Sequence, residues 1–238
     1  MIATLGLLLA ATAAVPDAEI KSATEALTPE VVALRRDLHA HPELSNREER
    51  TGRLIAERLR GLGLEVRHPV AKTGVVGVLR GDRPGGVVAL RADIDALPIQ
   101  EEGDAPYKSQ VPGVMHACGH DAHTAILIGV AEVLAGLRER LPGTVVFLFQ
   151  PAEEGAPEGE EGGAPLMVEE GALDDPKVEA VFGLHVGGWL ETGQVGFAPG
   201  PFFASSDTFT ITVAGHSVHG AQPHMGLDPI PVAAEISL

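Results

Sequence analysis

The sequence predicts an α/β fold in which a mixed, largely parallel β-sheet is flanked by helices. Three observations support this prediction. Apolar, β-branched runs of strand length alternate with segments of helical periodicity along most of the 238 residues. The run at residues 86–90 is apolar throughout, as expected for a strand that is covered on both faces. Hydrophobic residues make up 45% of the chain, which is enough for a sizeable buried core.

Two helices are predicted near the beginning of the chain. The first is expected to begin at Thr28 and Pro29, where a capping residue precedes a proline at the first helical position. It should end near His41, because a residue that precedes a proline avoids the helical conformation. The second is expected to follow a capping box at residues 45–48 and to end at Gly63.

The strands and the later helices follow in order. Strands are predicted at residues 64–66, 74–79, 86–90, 144–149 and 178–184, with a helix at residues 123–137 between the third and the fourth. Beyond residue 204 the pattern indicates a half-exposed strand at 208–213 and a helix after Asp228, which is typical of the opening of a smaller α+β domain. The predicted division is a leader at 1–18, a main domain at 19–203 and the beginning of a second domain at 204–238.

The first residues resemble a secretory signal peptide. Residues 5–14 are apolar and end in small residues that would suit cleavage, although no Lys or Arg precedes Lys21. The segment is too short to span a bilayer, and no other segment is long and apolar enough to do so. If this segment is a leader, we expect an exported protein, periplasmic or secreted. A misassigned start site and a tethered N-terminus are the alternatives, and without a leader the protein would be cytoplasmic.

The net charge and the cysteine content argue against two classes of protein: those that bind nucleic acid and those stabilised by internal disulfides. The net charge of −16 argues against a nucleic-acid partner, because a phosphate backbone needs a basic surface. The single cysteine, Cys118, excludes a disulfide within the chain.

Polar side chains follow three of the predicted strands. Asp93 and Asp95 come after one strand, Glu153 and Glu154 after another, and His185 after a third. Because the carboxyl ends of parallel strands meet at one edge of a sheet, we expect these groups to converge there. We interpret Asp93 as part of the turn that follows its strand.

A dense group of metal-binding side-chain types lies between these strands. Three histidines, one cysteine and one aspartate fall within residues 116–123. Thiolate, imidazole and carboxylate are the groups that bind zinc-like or manganese-like cations. The pair of Glu153 and Glu154 favours a two-metal hydrolase, in which one carboxylate binds metal and the other takes a proton from the attacking water.

Two other interpretations of this group are available. Cys118 with His116 or His120 could form a nucleophilic pair, but this leaves the carboxylates and the histidine at the strand ends without a role. A structural metal site would favour a closed set of cysteine and histidine ligands.

Six ordered segments resemble metal-dependent amidohydrolases and peptidases related to aminoacylase and carboxypeptidase G. The closest branch contains hippurate hydrolases and plant auxin-conjugate hydrolases. The segments are RRDLHAHPELS at 35–45, LRADIDALPIQE at 90–101, MHACGHDAHTA at 115–125, FQPAEEG at 149–155, GLHV at 183–186 and HGAQPHMGLDPI at 219–230. The resemblance implies a catalytic domain like that of the zinc exopeptidases, followed by the beginning of a lid or dimerisation domain.

The resemblance also implies roles for particular residues. Cys118, His120, Glu154 and His185 would bind two divalent metal ions, which could be Mn, Zn, Ni or Co. Glu153 would be the general base.

The resemblance implies supporting roles for three further residues beside the metal ligands and the general base. Asp95 would help to hold the metal ligands in place. His219 would reach the active site of a partner subunit and stabilise the oxyanion. His224 would contact the carboxylate of the substrate or shape its own loop. For both histidines, a solvated loop position is the alternative.

The function that the resemblance implies is hydrolysis of the amide bond of N-acyl amino acids or similar small amides. A metallo-carboxypeptidase that acts on short peptides is the alternative within the family. Family members extend beyond residue 238, complete the lid and supply one more metal-binding histidine. We therefore interpret the chain as an N-terminal fragment of a homodimeric parent, with a non-catalytic metal-binding or dimerisation remnant as the other alternative.

Overall fold

The computed structural model describes residues 15–203 and 209–237. The predicted leader lies outside the described residues as far as residue 14. The chain divides into two compact units, Met1–Gly187 and Gly188–Leu238. The domain division at residue 203 stays a prediction.

Within residues 15–187, the described part of the first unit, the chain forms four α-helices and a five-stranded sheet. The helices are α1 (Asp17–Ala40), α2 (Glu49–Gly61), α3 (His120–Gly136) and α4 (Gly163–Glu169). The strands are β1 (Glu65–Val70), β2 (Gly74–Arg80), β3 (Arg83–Asp93), β4 (Pro142–Gln150) and β5 (Ala180–Gly183). A 3-10 turn, Arg138–Arg140, separates α3 from β4.

The sheet is mixed, with strand order β1-β2-β4-β3-β5. Strand β3 runs parallel to β4 and β5, whereas β2 runs antiparallel to β1 and β4. The register places Asp93 opposite Gln150 and Arg91 opposite Gly183. The carboxyl ends of β3, β4 and β5 therefore lie side by side. The predicted mixed α/β fold is confirmed, and the sheet is parallel in two of its four strand pairings.

Both faces of the sheet are covered at its central strand, β4. Alternation along β4 places Phe147 and Phe149 in the cluster formed with α1, α2 and α3, and Val146 and Leu148 in the cluster formed with Met167 of α4. This explains why the predicted core strands are apolar at consecutive positions. A β-strand that is buried on both faces has no solvent-facing side.

The predicted start of the first helix was wrong. Helix α1 begins at Asp17, and Thr28 lies inside it with its hydroxyl donating to the carbonyl oxygen of Thr24. Pro29 is also internal. Proline removes only one backbone hydrogen bond from a helix interior, and the helix continues on both sides of it, with its buried residues on the C-terminal side. The predicted end near His41 is confirmed.

The capping box before α2 was also wrong, although the predicted end at Gly63 is confirmed with φ of 76°. No side chain of residues 45–48 caps α2. The carboxylate of Glu43 instead accepts hydrogen bonds from the backbone N–H groups of Arg50 and Thr51 at 2.9 and 2.8 Å. The helix terminus is thus satisfied by a residue that lies outside the local pattern.

The second unit is described on its own. It contains a 3-10 turn, Pro223–Met225, and the helix α5 (Pro229–Ile236), whose start is confirmed because the Asp228 carboxylate accepts a hydrogen bond from the Ile230 N–H. Residues 209–213 form no strand in the part of this unit that the structure describes. A strand needs a neighbour to pair its backbone groups, and none lies beside this segment within the described residues.

Among the described residues, no helix combines the length and the apolar character needed to cross a bilayer.

Candidate metal centre

The carboxyl edge of the sheet brings the predicted ligands together. Cys118, His120 and His185 offer ligand atoms that lie within 4.8 Å of one another, and His120 forms a second such group with Glu153 and Glu154. Three separate connections, from β3 to α3, after β4 and after β5, supply these side chains. The predicted convergence at the strand ends is confirmed as geometry.

Gly119 positions two of these side chains. It adopts φ of 89° immediately before α3, which begins at His120, one turn earlier than predicted. A Cβ atom at Gly119 would lie 2.3 Å from Cγ2 of Val186. Only glycine therefore allows the turn between Cys118 and His120 to approach the segment after β5 so closely. The Cys118 Sγ lies 3.4 Å from the His185 Nε2 as a result.

The ring of His120 is fixed with one nitrogen towards the site. Its Nδ1 lies 2.9 Å from the carbonyl oxygen of Asp95, which can only accept, so Nδ1 carries the proton that it donates. Its Nε2 is buried and makes no hydrogen bond to the described residues. It lies 3.8 Å from a carboxylate oxygen of both Glu153 and Glu154. This is the orientation that a metal-binding imidazole needs.

Asp95 joins three parts of the site. Its carboxylate lies 3.1 Å from the His120 Nδ1 and accepts hydrogen bonds from the Ser45 hydroxyl at 2.9 Å and the Glu154 N–H at 3.0 Å. Burial raises the pKa of Asp95, but these hydrogen bonds outweigh burial and lower it. Asp95 is therefore a charged acceptor that holds a histidine and a backbone segment. Its role in supporting metal ligands stays a prediction.

The acidity of the site favours a cation. Burial and the charge of Asp93 raise the pKa of Glu153. Burial and the hydrogen bond with Glu154 raise the pKa of the Cys118 thiol to about 12. Closely spaced carboxylates and a thiol cannot all ionise cheaply, and a divalent cation removes that penalty. The donor set, which combines sulfur, imidazole nitrogen and carboxylate oxygen, fits zinc, manganese, nickel or cobalt.

The same thiol argues against a Cys-His nucleophile. A reactive cysteine needs a lowered pKa, and that of Cys118 is raised. The alternative nucleophilic interpretation is therefore not favoured by this structure.

Asp93 and His123 are the residues that sequence analysis missed. Asp93 is not a turn residue, because it is the last residue of β3 and is fully buried. Its carboxylate lies 2.6 Å from the His123 Nδ1 and 2.6 Å from Nη1 of Arg91. Burial raises the pKa of Asp93, but His123, His120 and Arg91 together lower it to about 2. The available signal was its spacing of two from Asp95, which is typical of side chains on one face of an extended segment.

A second buried polar cluster lies between α1 and α3. His39 is placed between Asp121, at 2.7 Å, and Glu101, at 3.3 Å, and Arg35 pairs with the same oxygen of Asp121 at 2.8 Å. His116 lies near this cluster, with its ring centroid 6.5 Å from that of His39. Its two nitrogens are buried without a partner among the described residues, and burial lowers its pKa to about 4.

His219 and His224 lie in the second unit. Both are exposed within it. The His219 Nδ1 accepts a hydrogen bond from the Ala221 N–H at 3.2 Å, and His224 lies in the 3-10 turn Pro223–Met225. The roles implied for them stay predictions.

Comparison with known proteins agrees with this geometry. A family model described as Peptidase family M20/M25/M40 matches residues 89–236. The chain belongs to this family. It is 47% identical over 219 residues to an N-acyl-L-amino acid amidohydrolase of Geobacillus stearothermophilus, covering 92% of this chain and 57% of that protein. It is 43% identical over 220 residues to thermostable carboxypeptidase 2 of Saccharolobus solfataricus, covering 92% and 55%.

Two further matches concern the branch of the family and the metal site. It is 46% identical over 206 residues to IAA-amino acid hydrolase ILR1-like 4 of Arabidopsis thaliana, covering 87% of this chain and 45% of that one. A solved Bacillus subtilis protein, described as a dinuclear metal binding peptidase from the M20 family, superposes with a TM-score of 0.68 at 46% identity. That match covers 74% of this chain and 48% of the other. The expected branch is confirmed, and the chain spans about half the length of these relatives.

Proposed function

We propose that the protein hydrolyses the amide bond of N-acyl amino acids or similar small amides, using water at a site for two divalent metal ions. The observation that carries this proposal is the convergence of Cys118, His120 and His185 with the paired carboxylates Glu153 and Glu154. An amidohydrolase relative at 47% identity supports the substrate class. A dinuclear metal binding structural neighbour supports the two-metal site.

In this proposal Cys118, His120, Glu154 and His185 would hold the metal ions. When bound, the ions would polarise the amide carbonyl and lower the pKa of the attacking water. Residue Asp95 keeps the His120 Nε2 turned towards the site by holding Nδ1.

Glu153 would serve as the general base. Its side chain is 36% exposed and one carboxylate oxygen lies 3.8 Å from the His120 Nε2, so water can reach it beside the proposed ligands. Burial and Asp93 raise its pKa, which makes it a better proton acceptor than an ordinary glutamate. It would take a proton from the attacking water as the new C–O bond forms, and then transfer that proton to the amine nitrogen as the C–N bond breaks.

A metallo-carboxypeptidase that acts on short peptides is the second candidate, because a carboxypeptidase relative is 43% identical. Both candidates use the same bond-breaking groups and differ only in the substrate. A panel of N-acyl amino acids and dipeptides, assayed with added manganese or zinc, distinguishes them. Faster turnover of N-acyl amino acids supports the first candidate, and faster turnover of dipeptides supports the second.

The base is tested by Glu153→Gln. We expect this variant to bind metal as the unmodified protein does and to lose about 10²- to 10⁴-fold in kcat, because only proton transfer is removed. Glu158→Gln, on the exposed loop after β4, is the matched control and should keep full activity. Metal content is measured by elemental analysis of the same samples. Metal binding without turnover of any substrate would instead indicate a non-catalytic metal-binding protein.

Two further proposals concern the oligomeric state of the protein and its cellular location. We propose a homodimer in which His219 completes the active site of the partner and His224 contacts the substrate, and we propose export directed by the apolar N-terminal segment. Sedimentation of the full protein tests the homodimer. N-terminal sequencing of the secreted product tests export. A monomer with full activity would contradict the homodimer. A product that stays inside the cell and retains Met1 would contradict export.

A further inference from the structure

His123 lies in the first turn of α3 and belongs to a group that resembles a metal-ligand set. Its ligand atom lies within 4.8 Å of those offered by Asp93 and His120, and all three residues are buried. On position alone, His123 is therefore a candidate to bind one of the metal ions. Its hydrogen bonds lead to a different conclusion.

Both ring nitrogens of His123 are already used. The backbone N–H of Val186 donates to Nε2 at 2.9 Å. A backbone N–H can only donate, so Nε2 must carry a lone pair and the ring proton must be on Nδ1. That proton faces the Asp93 carboxylate, with Nδ1 2.6 Å from Oδ1. No lone pair of His123 remains for a cation.

The carboxylate that orients His123 is itself fixed to the sheet. Nη1 of Arg91 donates to the other oxygen of Asp93 at 2.6 Å. The same guanidinium donates to Oε1 of Gln150, at the end of β4, at 2.9 and 2.7 Å. A continuous series of hydrogen bonds thus runs from β4 through β3 and α3 to the backbone at Val186.

The segment at the end of this series carries the proposed ligand His185. Strand β5 ends at Gly183 and, among the described residues, pairs only with β3, so the sheet holds this segment along one side. The His185 Nδ1 lies 2.7 Å from the Val186 carbonyl oxygen, which fixes the ring against the peptide that His123 holds. The rings of His123 and His185 also meet edge to face, with centroids 4.7 Å apart.

We propose that His123 is a positioning residue, locked as the Nδ1–H tautomer between Asp93 and the Val186 N–H, that holds His185 in place for metal binding. This inference rests on the proposed metal site and goes beyond its ligand set. It predicts that His123 contributes to metal affinity only through His185.

Two variants of His123 separate its two hydrogen bonds. The oxygen of Gln in His123→Gln can take the position of Nε2 and accept from Val186, whereas the bond to Asp93 is lost. The amide nitrogen of Asn in His123→Asn can take the position of Nδ1 and donate to Asp93, whereas Val186 N–H is left without an acceptor. We expect cobalt(II) affinity, measured by calorimetry on the whole protein, to fall about 10- to 100-fold in His123→Asn and clearly less in His123→Gln.

A double-mutant cycle with His185→Ala tests whether His123 affects metal affinity through His185. If His123 acts through His185, His123→Asn adds little to the loss already caused by His185→Ala. Additive losses, or the loss of one metal equivalent in both His123 variants, would show that His123 is a ligand and overturn the proposal. Unchanged affinity in both variants would also overturn it.

The tautomer can be measured without metal or substrate. In the metal-free protein, ¹⁵N NMR of the His123 ring should show a protonated Nδ1 and an unprotonated Nε2. A protonated Nε2 would contradict the proposal whatever the activity. Conversely, a protein with this tautomer and this affinity pattern that hydrolyses no amide would overturn only the proposed function.

Discussion

Three buried carboxylates each join the site to a different part of the fold. Asp95 holds His120 and the Glu154 backbone, and Asp93 holds His123. Glu48 accepts from the Thr73 hydroxyl at 2.6 Å and from the Ala152 N–H at 2.8 Å. At the scale of single residues, these carboxylates hold the proposed ligands and the loops beside them.

Replacement of Asp95 tests this support. Asp95→Asn replaces a charged acceptor of three hydrogen bonds with an amide, so we expect zinc affinity to fall about 10- to 100-fold. Isothermal titration of the metal-free protein measures it. Ser45→Ala removes only one of the three donors to Asp95 and should cost less than Asp95→Asn. Equal losses for the two variants would contradict the central position of Asp95.

Glu48 is expected to act on stability. It is fully buried, and burial raises its pKa despite the hydrogen bonds that it accepts. Glu48→Ala would leave the Ala152 N–H and the Thr73 hydroxyl buried without partners, at a cost of about 1 to 3 kcal/mol for each group. Gln offers both an acceptor and a donor at this position, so Glu48→Gln should lose much less. Urea unfolding compares the two variants, and equal destabilisation would show that the hydrogen bonds do not carry the effect.

At the scale of elements, the turn before α3 determines how closely the strand ends can meet. Gly119→Ala would place a Cβ in contact with Val186 and impose φ of 89° on alanine. We expect a loss of about 1 to 2 kcal/mol from the backbone strain alone, together with weaker metal binding, because Cys118 and His120 flank the turn. Thermal unfolding and metal titration are the two measurements.

Gly136 provides the control for Gly119. It lies at the end of α3, and a Cβ there would meet nothing within 4 Å. Gly136→Ala should therefore stabilise the protein by up to about 1 kcal/mol and leave metal binding unchanged. If both glycine variants behaved alike, the close approach at Gly119 would not be the cause.

At the scale of the whole molecule, the buried groups His116 and Asp93 are among those that make stability depend on pH. Burial lowers the pKa of His116 to about 4 from its ordinary value of 6.5, so the unfolded chain binds its proton first. Its contribution, about 3 kcal/mol, is fully present above pH 6.5 and is lost as pH falls towards 4. Asp93, with its pKa lowered to about 2 from 3.8, adds a loss of about 2 kcal/mol at lower pH, below 3.8.

Urea unfolding of the metal-free protein between pH 4 and 7 tests the histidine contribution. We expect His116→Gln to flatten the slope in this range, because Gln does not titrate. A slope that persists in His116→Gln would assign the dependence to other groups.

Some elements of the fold could be predicted from local sequence patterns, whereas others depend on contacts made in the folded chain. Strands β2, β3 and β4 were predictable because two-sided burial leaves a run of apolar residues in the sequence itself. The start of α1 was not predictable from Thr28 and Pro29, because both residues lie inside a helix that already runs from Asp17. The cap of α2 was not predictable either, since Glu43 acts from outside the helix boundary.

The site divides in the same way. The fold class, the family motifs and the convergence of the proposed ligands could be predicted from the order of the residues, because strand ends that share an edge bring their following residues together. The hydrogen bonds that hold those ligands could not be predicted, because they join residues far apart in the sequence. The supporting pairs Glu48 with Ala152, Asp93 with His123 and His39 with Asp121 are separated by 104, 30 and 82 residues. Sequence patterns report local periodicity, whereas a hydrogen bond between buried groups depends on distances that exist only after the chain has folded.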